Sequence, residues 1–316
     1  MTPVSPLVSA IVPTYNRVAD VRVAVRTVLA QTVRDVEILV VDDGSTDGTA
    51  ELLRREFGDR LRCLVKPNGG VSSARNHGLA AARGAFLAFL DSDDEWLPRH
   101  LEAQLALFDR RPELGMVLTD VVRMDRDRRD YELYRRRDFI PEDGQVLRWV
   151  LRNPSLVPAS ATLRRAVYEE VGGFDETLRT AEDLEFHLRV ALRWPIGIVE
   201  EPLTRAMRGH DGLSASAQTY RDYLEVIEGF VARHGDHIPA RDRRAALLHA
   251  YARNAKGLLH AGDVRGALRC AAAATARVRD GRELAAVGRL GVDLAKGLGV
   301  RARRALRGQA APGPRS

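Results

Sequence analysis

Closely spaced carboxylates are the groups in this chain best placed to do chemistry. Asp91 and Asp93 stand two positions apart, with Asp94 beside them, directly after the apolar run Phe86-Leu87-Ala88-Phe89-Leu90. In extended backbone, residues two apart project to the same side. Two such carboxylates favour a hard, oxygen-seeking cation, Mg2+ or Mn2+. An acidic turn opening the next helix is the competing reading, because Asp residues ahead of Pro98 are good N-cap signals. Asp42-Asp43 follows a second β-rich run, Val36 to Val41. Glu182-Asp183 opens an amphipathic stretch, Ala181 to Arg193, with Leu184, Leu188 and Leu192 on one face. Acids in a first helical turn favour the helix dipole whatever their chemistry.

These acids need a frame, and the first hundred residues supply one. Leu7 to Val12, Val36 to Val41, Leu61 to Val65 and Phe86 to Leu90 read as strands. Helical spacing fills the gaps: Val18 to Ala30, Thr49 to Phe57, and Ser72 to Arg83 with Gly84 as its C′ residue. Strand–helix alternation predicts a parallel sheet wrapped by helices, and the central run is apolar throughout because both its faces are covered. In such sheets ligands bind beyond the carboxyl ends of the strands. Thr14 to Asn16, Asp42-Asp43 and Asp91 to Asp94 all follow strand ends, so they should share one rim. Further on, Met116 to Val122 reads as a strand, Arg123 to Arg137 as a charged surface loop, Ala159 to Leu163 as a strand, and Gly197 to Val199 and Leu203 to Met207 as two short strands. From Gln218 onward the pattern is purely helical.

Composition narrows the function classes. A chain of 316 residues with 45% hydrophobic content holds a packed α/β domain and an appendage. Cys63 and Cys270 form no CxxC or Cys/His cluster, which fits a reducing compartment and argues against structural zinc. No signal peptide or membrane-spanning run is evident. Seven basic residues and one acid, Asp293, lie from Arg289 to the end, and this tail carries the whole net charge of +6. No GxGxxG, GxxxxGK[ST] or HExxH pattern occurs. Asp43 to Gly48 superficially matches a calcium loop, but Arg54 stands at the twelfth position, where Glu is needed. A rim with an aromatic residue, several carboxylates and a cation suits a nucleotide diphosphate. Tyr15 could stack on the base and Asp43 could accept a hydrogen bond from base or ribose.

At this point the residues resemble a family. Val8-Ser9-Ala10-Ile11-Val12-Pro13-Thr14-Tyr15-Asn16-Arg17, Val40-Val41-Asp42-Asp43-Gly44-Ser45, Gly69-Gly70-Val71-Ser72-Ser73-Ala74-Arg75-Asn76 and Leu90-Asp91-Ser92-Asp93-Asp94 together resemble family 2 glycosyltransferases. Gly172-Gly173-Phe174-Asp175-Glu176, Glu182-Asp183 and Arg208-Gly209-His210 with Ser214 agree. The resemblance covers roughly residues 7 to 215. It implies an α/β fold of GT-A type, a Rossmann-like mixed, mainly parallel sheet flanked by helices. It also implies inverting transfer from a nucleotide-sugar (UDP-, dTDP- or GDP-linked) assisted by Mn2+ or Mg2+. Carried over, Thr14, Tyr15, Asp43, Arg75 and Asp91 would hold the nucleotide. Asp93, Asp91 and His210 would meet the metal, with Asp93 the first choice. Asp183 would be the general base. Asp94, Trp96, Glu182 and Arg208 are candidates for donor or acceptor contacts.

The expected domains are residues 1–215 for catalysis, 216–307 for an α-helical C-terminal extension, and 308–316 for a disordered tail. The acceptor would be a glycan or a lipid-linked sugar, in the synthesis of cell-envelope polysaccharide, glycolipid or another glycoconjugate. The basic stretch Leu284 to Leu306 could lie on an anionic membrane surface or pack in a homodimer. Its lack of interleaved aromatics argues against nucleic acid. The expected location is cytoplasmic, at most peripheral at the inner membrane face. A non-catalytic nucleotide-sugar binding module is the alternative. A nucleotidyltransferase would need a Gly-rich basic loop near the first strand, and Pro13-Thr14-Tyr15-Asn16 is not one.

Overall fold

The computed structural model describes residues 5–134, 146–151, 157–207 and 216–281. They divide into two compact units. One holds the residues up to Val150 and from 157 to 207, the other Leu151 and those from 216 to 281.

The first unit begins with the expected alternation: β1 (Val8–Thr14), α1 (Val18–Leu29), β2 (Val36–Asp42), α2 (Thr49–Phe57), β3 (Arg62–Val65), α3 (Val71–Ala81) and β4 (Phe86–Phe89). The strands pair in parallel in the order β3-β2-β1-β4. Side chains of β1 alternate between two covered faces. Ala10 and Val12 join Val21 and Val25 of α1 and Leu53 of α2 in one core. Ile11 points to the other face, towards α3, which comes so close that a Cβ on Gly78 would lie 2.5 Å from Ile11 Cγ2. Both faces are therefore dry, which is why the run into Asp91 has no polar alternation.

The parallel register puts the strand ends together. Thr14 pairs with Asp42, Asp43 N donates to Thr14 O, and Leu90 N donates to Ile11 O. The three polar clusters predicted to share a rim do so.

Beyond β4 the sheet turns mixed. The elements are β5 (Glu95–Trp96), α4 (His100–Arg110), β6 (Met116–Met124), β7 (Asp130–Tyr134), α5 (Leu147–Val150), β8 (Ala161–Arg164), α6 (Arg165–Val171), α7 (Glu182–Arg193) and β9 (Ile196–Met207). Strand β8 runs antiparallel between β4 and β6; β6 and β9 are parallel; β5 and β7 add antiparallel edges. This is the α/β, GT-A type sheet expected. Helix α7 is tied to the sheet by aromatic rings: Phe186 stacks on Phe174 at 4.4 Å, and both meet Phe89 of β4 edge-on.

Three local expectations need correction. The charged segment read as a loop from Arg123 forms the β6–β7 hairpin as far as Tyr134. Its arginines find carboxylates: Arg128 bridges Asp20 and Glu95, and Arg205 on β9 bridges Glu95 and Asp130. The two short strands expected near Gly197 and Leu203 are one strand, β9, whose register shifts opposite Asp120. Gly84 does not cap α3, which ends at Ala81. It lies where the chain passes β1, and a Cβ there would sit 2.5 Å from Ser9 N. Ser9, a polar residue buried within that strand, accepts from Gly84 N and donates to Glu37.

The second unit is helical: α8 (Ala217–His234), α9 (Ala240–His260) and α10 (Val264–Thr275). Leu258, Leu259, Ala267, Cys270 and Ala274 form its core, with Tyr220 and Tyr251 packed against them. Ser216 and Asp263 cap α8 and α10 by accepting from Thr219 N and Gly266 N. Among the described residues no helix is long and apolar enough to cross a membrane. The basic stretch Leu284 to Leu306 and the tail 308–316 lie outside the described residues.

The Gly84 contact gives a stability test. A methyl group there meets backbone, which cannot rotate away, so Gly84→Ala should cost about 1–3 kcal/mol, the usual range for overpacking. Urea unfolding should show the loss; an unchanged midpoint would mean that the two segments are not held this close.

Candidate active site

The rim is built from the ends of β1, β2 and β4. Thr14 closes β1 with its side chain inward, and its buried hydroxyl has no hydrogen-bond partner among the described residues. Tyr15, next in the chain, is 48% exposed and presents its ring at the rim. Asn16 adopts a positive φ of 50° and accepts from Thr46 N. This sews the β1 turn to the β2 turn.

Asp43 is brought to the same place but faces inward. Its carboxylate takes Lys66 Nζ at 2.6 Å and the amides of Gly69 and Gly70. The 66–70 loop is thus folded around Asp43. Lys66 was a lysine without a role in the sequence, and its scarcity there gave no hint of this contact.

The turn after β4 holds Asp91 and Asp93. Asp94 N donates to Asp91 O, closing the turn. Arg75 of α3 is 3% exposed and sits between two acids, donating from Nη2 to Asp91 Oδ1 at 2.7 Å and from Nη1 to Glu182 Oε1 at 2.8 Å. The two carboxylates hold it firmly charged against the cost of burial. Its guanidinium also lies over the Phe174 ring at 5.1 Å. A role for Arg75 towards a nucleotide was expected; the structure adds a bridge from the β4 turn to the start of α7. Arg17 donates to Asp93 Oδ2 at 2.8 Å, a pairing that sequence reasoning missed although Arg17 directly follows the Thr14-Tyr15-Asn16 turn.

Helix α7 begins abruptly. Ala181 before it has φ 64° and ψ 13°, a left-handed conformation that an alanine seldom adopts. Glu182 and Asp183 follow at once. Asp183 is pushed up to about 7, first by burial, then by the charge of Glu182; the Leu184 amide and Arg75 pull the other way, and Asp91 adds to the rise. Asn76 secures the approach to this helix, accepting from Phe174 N and donating to Phe174 O and Glu176. The Gly172 to Glu176 stretch is therefore fastened to α3, beside Arg75.

Other expected contacts fall elsewhere. Trp96 is 2% exposed, stacks on His100 at 4.5 Å and donates its indole N–H to Ala159 O. It is a core residue of β5 with its polar atom satisfied. Asp94 is also buried and accepts from Met207 N, fastening the turn to β9. Glu182 is committed to Arg75. Arg208, His210 and Ser214 lie outside the described residues.

The donor set suits a hard cation. Asp91 and Asp93 offer only oxygen ligands, partly exposed at a strand end. Among the described residues no cluster of three or more acids, histidines or cysteines is disposed to hold an ion. Water and the phosphates of a ligand would supply the remaining positions, the usual habit of Mg2+.

Removing Arg75 would leave Asp91 and Glu182 without their shared counter-charge. Arg75→Met should cost about 3 kcal/mol in urea unfolding, the scale for breaking a buried pair. Arg75→Lys should recover only part of it, because an ammonium cannot reach both carboxylates with a planar fork. Full stability of Arg75→Met would show that the bridge carries no structural weight.

Comparison with known proteins agrees with this geometry. The family model for glycosyl transferase family 2 matches residues 9–172. An uncharacterized glycosyltransferase of Rickettsia felis is 30% identical over 240 residues, covering 70% of this chain; the match spans only 37% of that relative's length. The mannosyltransferase PcManGT from Pyrobaculum calidifontis, solved with GDP-Man and Mn2+, superposes with a TM-score of 0.60 at 21% identity over 94% of this chain and 81% of its own. S. aureus TarS 1-349, solved with UDP-GlcNAc, gives 0.58 at 20% identity over 85% of this chain and 91% of its own. With the family model spanning more than half of the sequence, and with the strand-end carboxylates on one rim of a matching fold, the chain belongs to glycosyl transferase family 2.

Proposed function

We propose that this glycosyltransferase moves a sugar, with inversion, from a nucleotide-diphosphate sugar to an acceptor hydroxyl of a glycan or lipid-linked sugar. The observation that carries the reading is the Arg75 bridge, which draws the Asp91 turn and the Glu182-Asp183 helix start together. Both neighbours named above were solved in complex with a nucleotide-sugar, which supports the donor class.

In this reading Tyr15 stacks on the base, the unpartnered Thr14 hydroxyl bonds to the nucleotide, and Asp43 shapes the pocket wall with Lys66. Asp93 and Asp91 would hold Mn2+ or Mg2+. When bound, the ion offsets the charge of the diphosphate and of its departure. Asp183 receives the proton of the acceptor hydroxyl as that oxygen bonds to the anomeric carbon. The bond from that carbon to the diphosphate oxygen breaks on the opposite side, so one displacement inverts the centre. A positioned base of this kind contributes about 100- to 10,000-fold. Its raised pKa makes Asp183 a stronger base than an ordinary aspartate, while ionised above neutrality.

The sign of the pH dependence follows. A base must be ionised to act, so kcat/KM should fall as pH drops through the raised value, with an acid limb centred near 7. Glu182→Gln removes a neighbouring negative charge and should move that limb to lower pH. A wild-type limb near 4 would show that Asp183 is not raised in the enzyme, and unchanged turnover in Asp183→Asn would remove it from the role. Asp183→Asn should keep nucleotide-sugar binding in calorimetry and lose turnover by the factor given above. Exhaustive metal removal with EDTA should abolish transfer and Mn2+ should restore it; full turnover in EDTA would sink the cation's part.

A further inference from the structure

The helical unit contains a cleft of about 520 Å³, within the range of small-ligand sites. It opens between the end of α8, the start of α9 and the residues after α10. Four arginines line it, Arg243 and Arg244 on α9 and Arg277 and Arg279 beyond α10, against a single lining acid, Asp236. Val231, Leu247 and Ala276 supply an apolar wall. This site is independent of the transferase rim and of the reading given for it.

Two features show that the charge is gathered rather than scattered. Arg277 is held in place by neutral partners: Nη1 donates to Ala273 O at 2.8 Å and the guanidinium covers the Tyr251 ring at 4.3 Å. Arg243 forms no ion pair among the described residues. It also lies near the positive end of a 21-residue helix, where a cation is disfavoured and an anion is stabilised. The cleft therefore gathers positive charge beside an apolar wall, an arrangement complementary to an anionic occupant.

We infer that the cleft binds a phosphate or diphosphate ester. Planar guanidinium forks match phosphate oxygens, and several converging on one cleft favour a multiply charged group over a single carboxylate. The apolar wall would take the organic part of the ester.

The test uses the full chain in EDTA, with inorganic pyrophosphate as the probe, titrated by calorimetry. The double variant Arg243→Gln/Arg244→Gln is compared with Arg241→Gln, which removes one exposed charge outside the lining. The cleft variant should bind roughly tenfold more weakly or worse, since charge-assisted hydrogen bonds are lost. Arg241→Gln should bind as wild type. Circular dichroism checks that both remain helical. A second arm sediments the same proteins with vesicles containing phosphatidic acid. Loss of vesicle binding in the cleft variant alone identifies a lipid headgroup as the source; retained vesicle behaviour with lost pyrophosphate binding identifies a soluble ester. Equal pyrophosphate affinity in all three proteins, or no binding to any, overturns the inference.

Discussion

One buried guanidinium holds the rim together. Arg75 reaches from α3 to the turn after β4 and to the first residue of α7. These two segments are more than ninety positions apart in sequence and have no backbone pairing with each other. An ion pair this deep gains little net stability once desolvation is counted, yet losing one member is costly. Its value is geometric. It fixes where one set of carboxylates stands relative to the other, and its charges act on Asp183 alongside the larger effect of burial.

Around that bridge the fold supplies rigid walls. The parallel strands deliver their carboxyl ends in register, so Thr14, Asp42 and Leu90 arrive together without help from loops. The aromatic stack of Phe89, Phe174 and Phe186 supports α7 from beneath. Asn76 and Asp43 each gather the backbone of a neighbouring loop, through hydrogen bonds that a merely solvated side chain would not make. Charged residues near this centre act chiefly as fasteners, and few of them point at open solvent.

The sequence made the first half legible because its signals are local. Apolar strands, helical spacing and Gly-rich turns alternate cleanly up to Phe89, and each periodicity belongs to one element. What it concealed was long-range. The hairpin after Met124 is stabilised by Glu95 and Asp20, which are distant in sequence, so its charge density read as a loop. Trp96 looked available because it follows the acidic turn, but a two-residue strand buries it against His100. Arg17, Lys66 and Glu182 have partners that only folding reveals. The carboxylate positions themselves were evident; their counter-charges were not.

Strand β4 is where the sheet changes character, parallel to β1 on one side and antiparallel to β8 on the other. Before it the pairs join strands that are neighbours in sequence, β1 with β2 and β2 with β3; after it every pair except the β6–β7 hairpin spans intervening elements. The consequence is mechanical. The register of the earlier flank is fixed by pairs among β1, β2, β3 and β4 alone, so within the sheet, strain entering from the far edge must pass through β4 to reach it, and the Arg75 crossing adds a side-chain route.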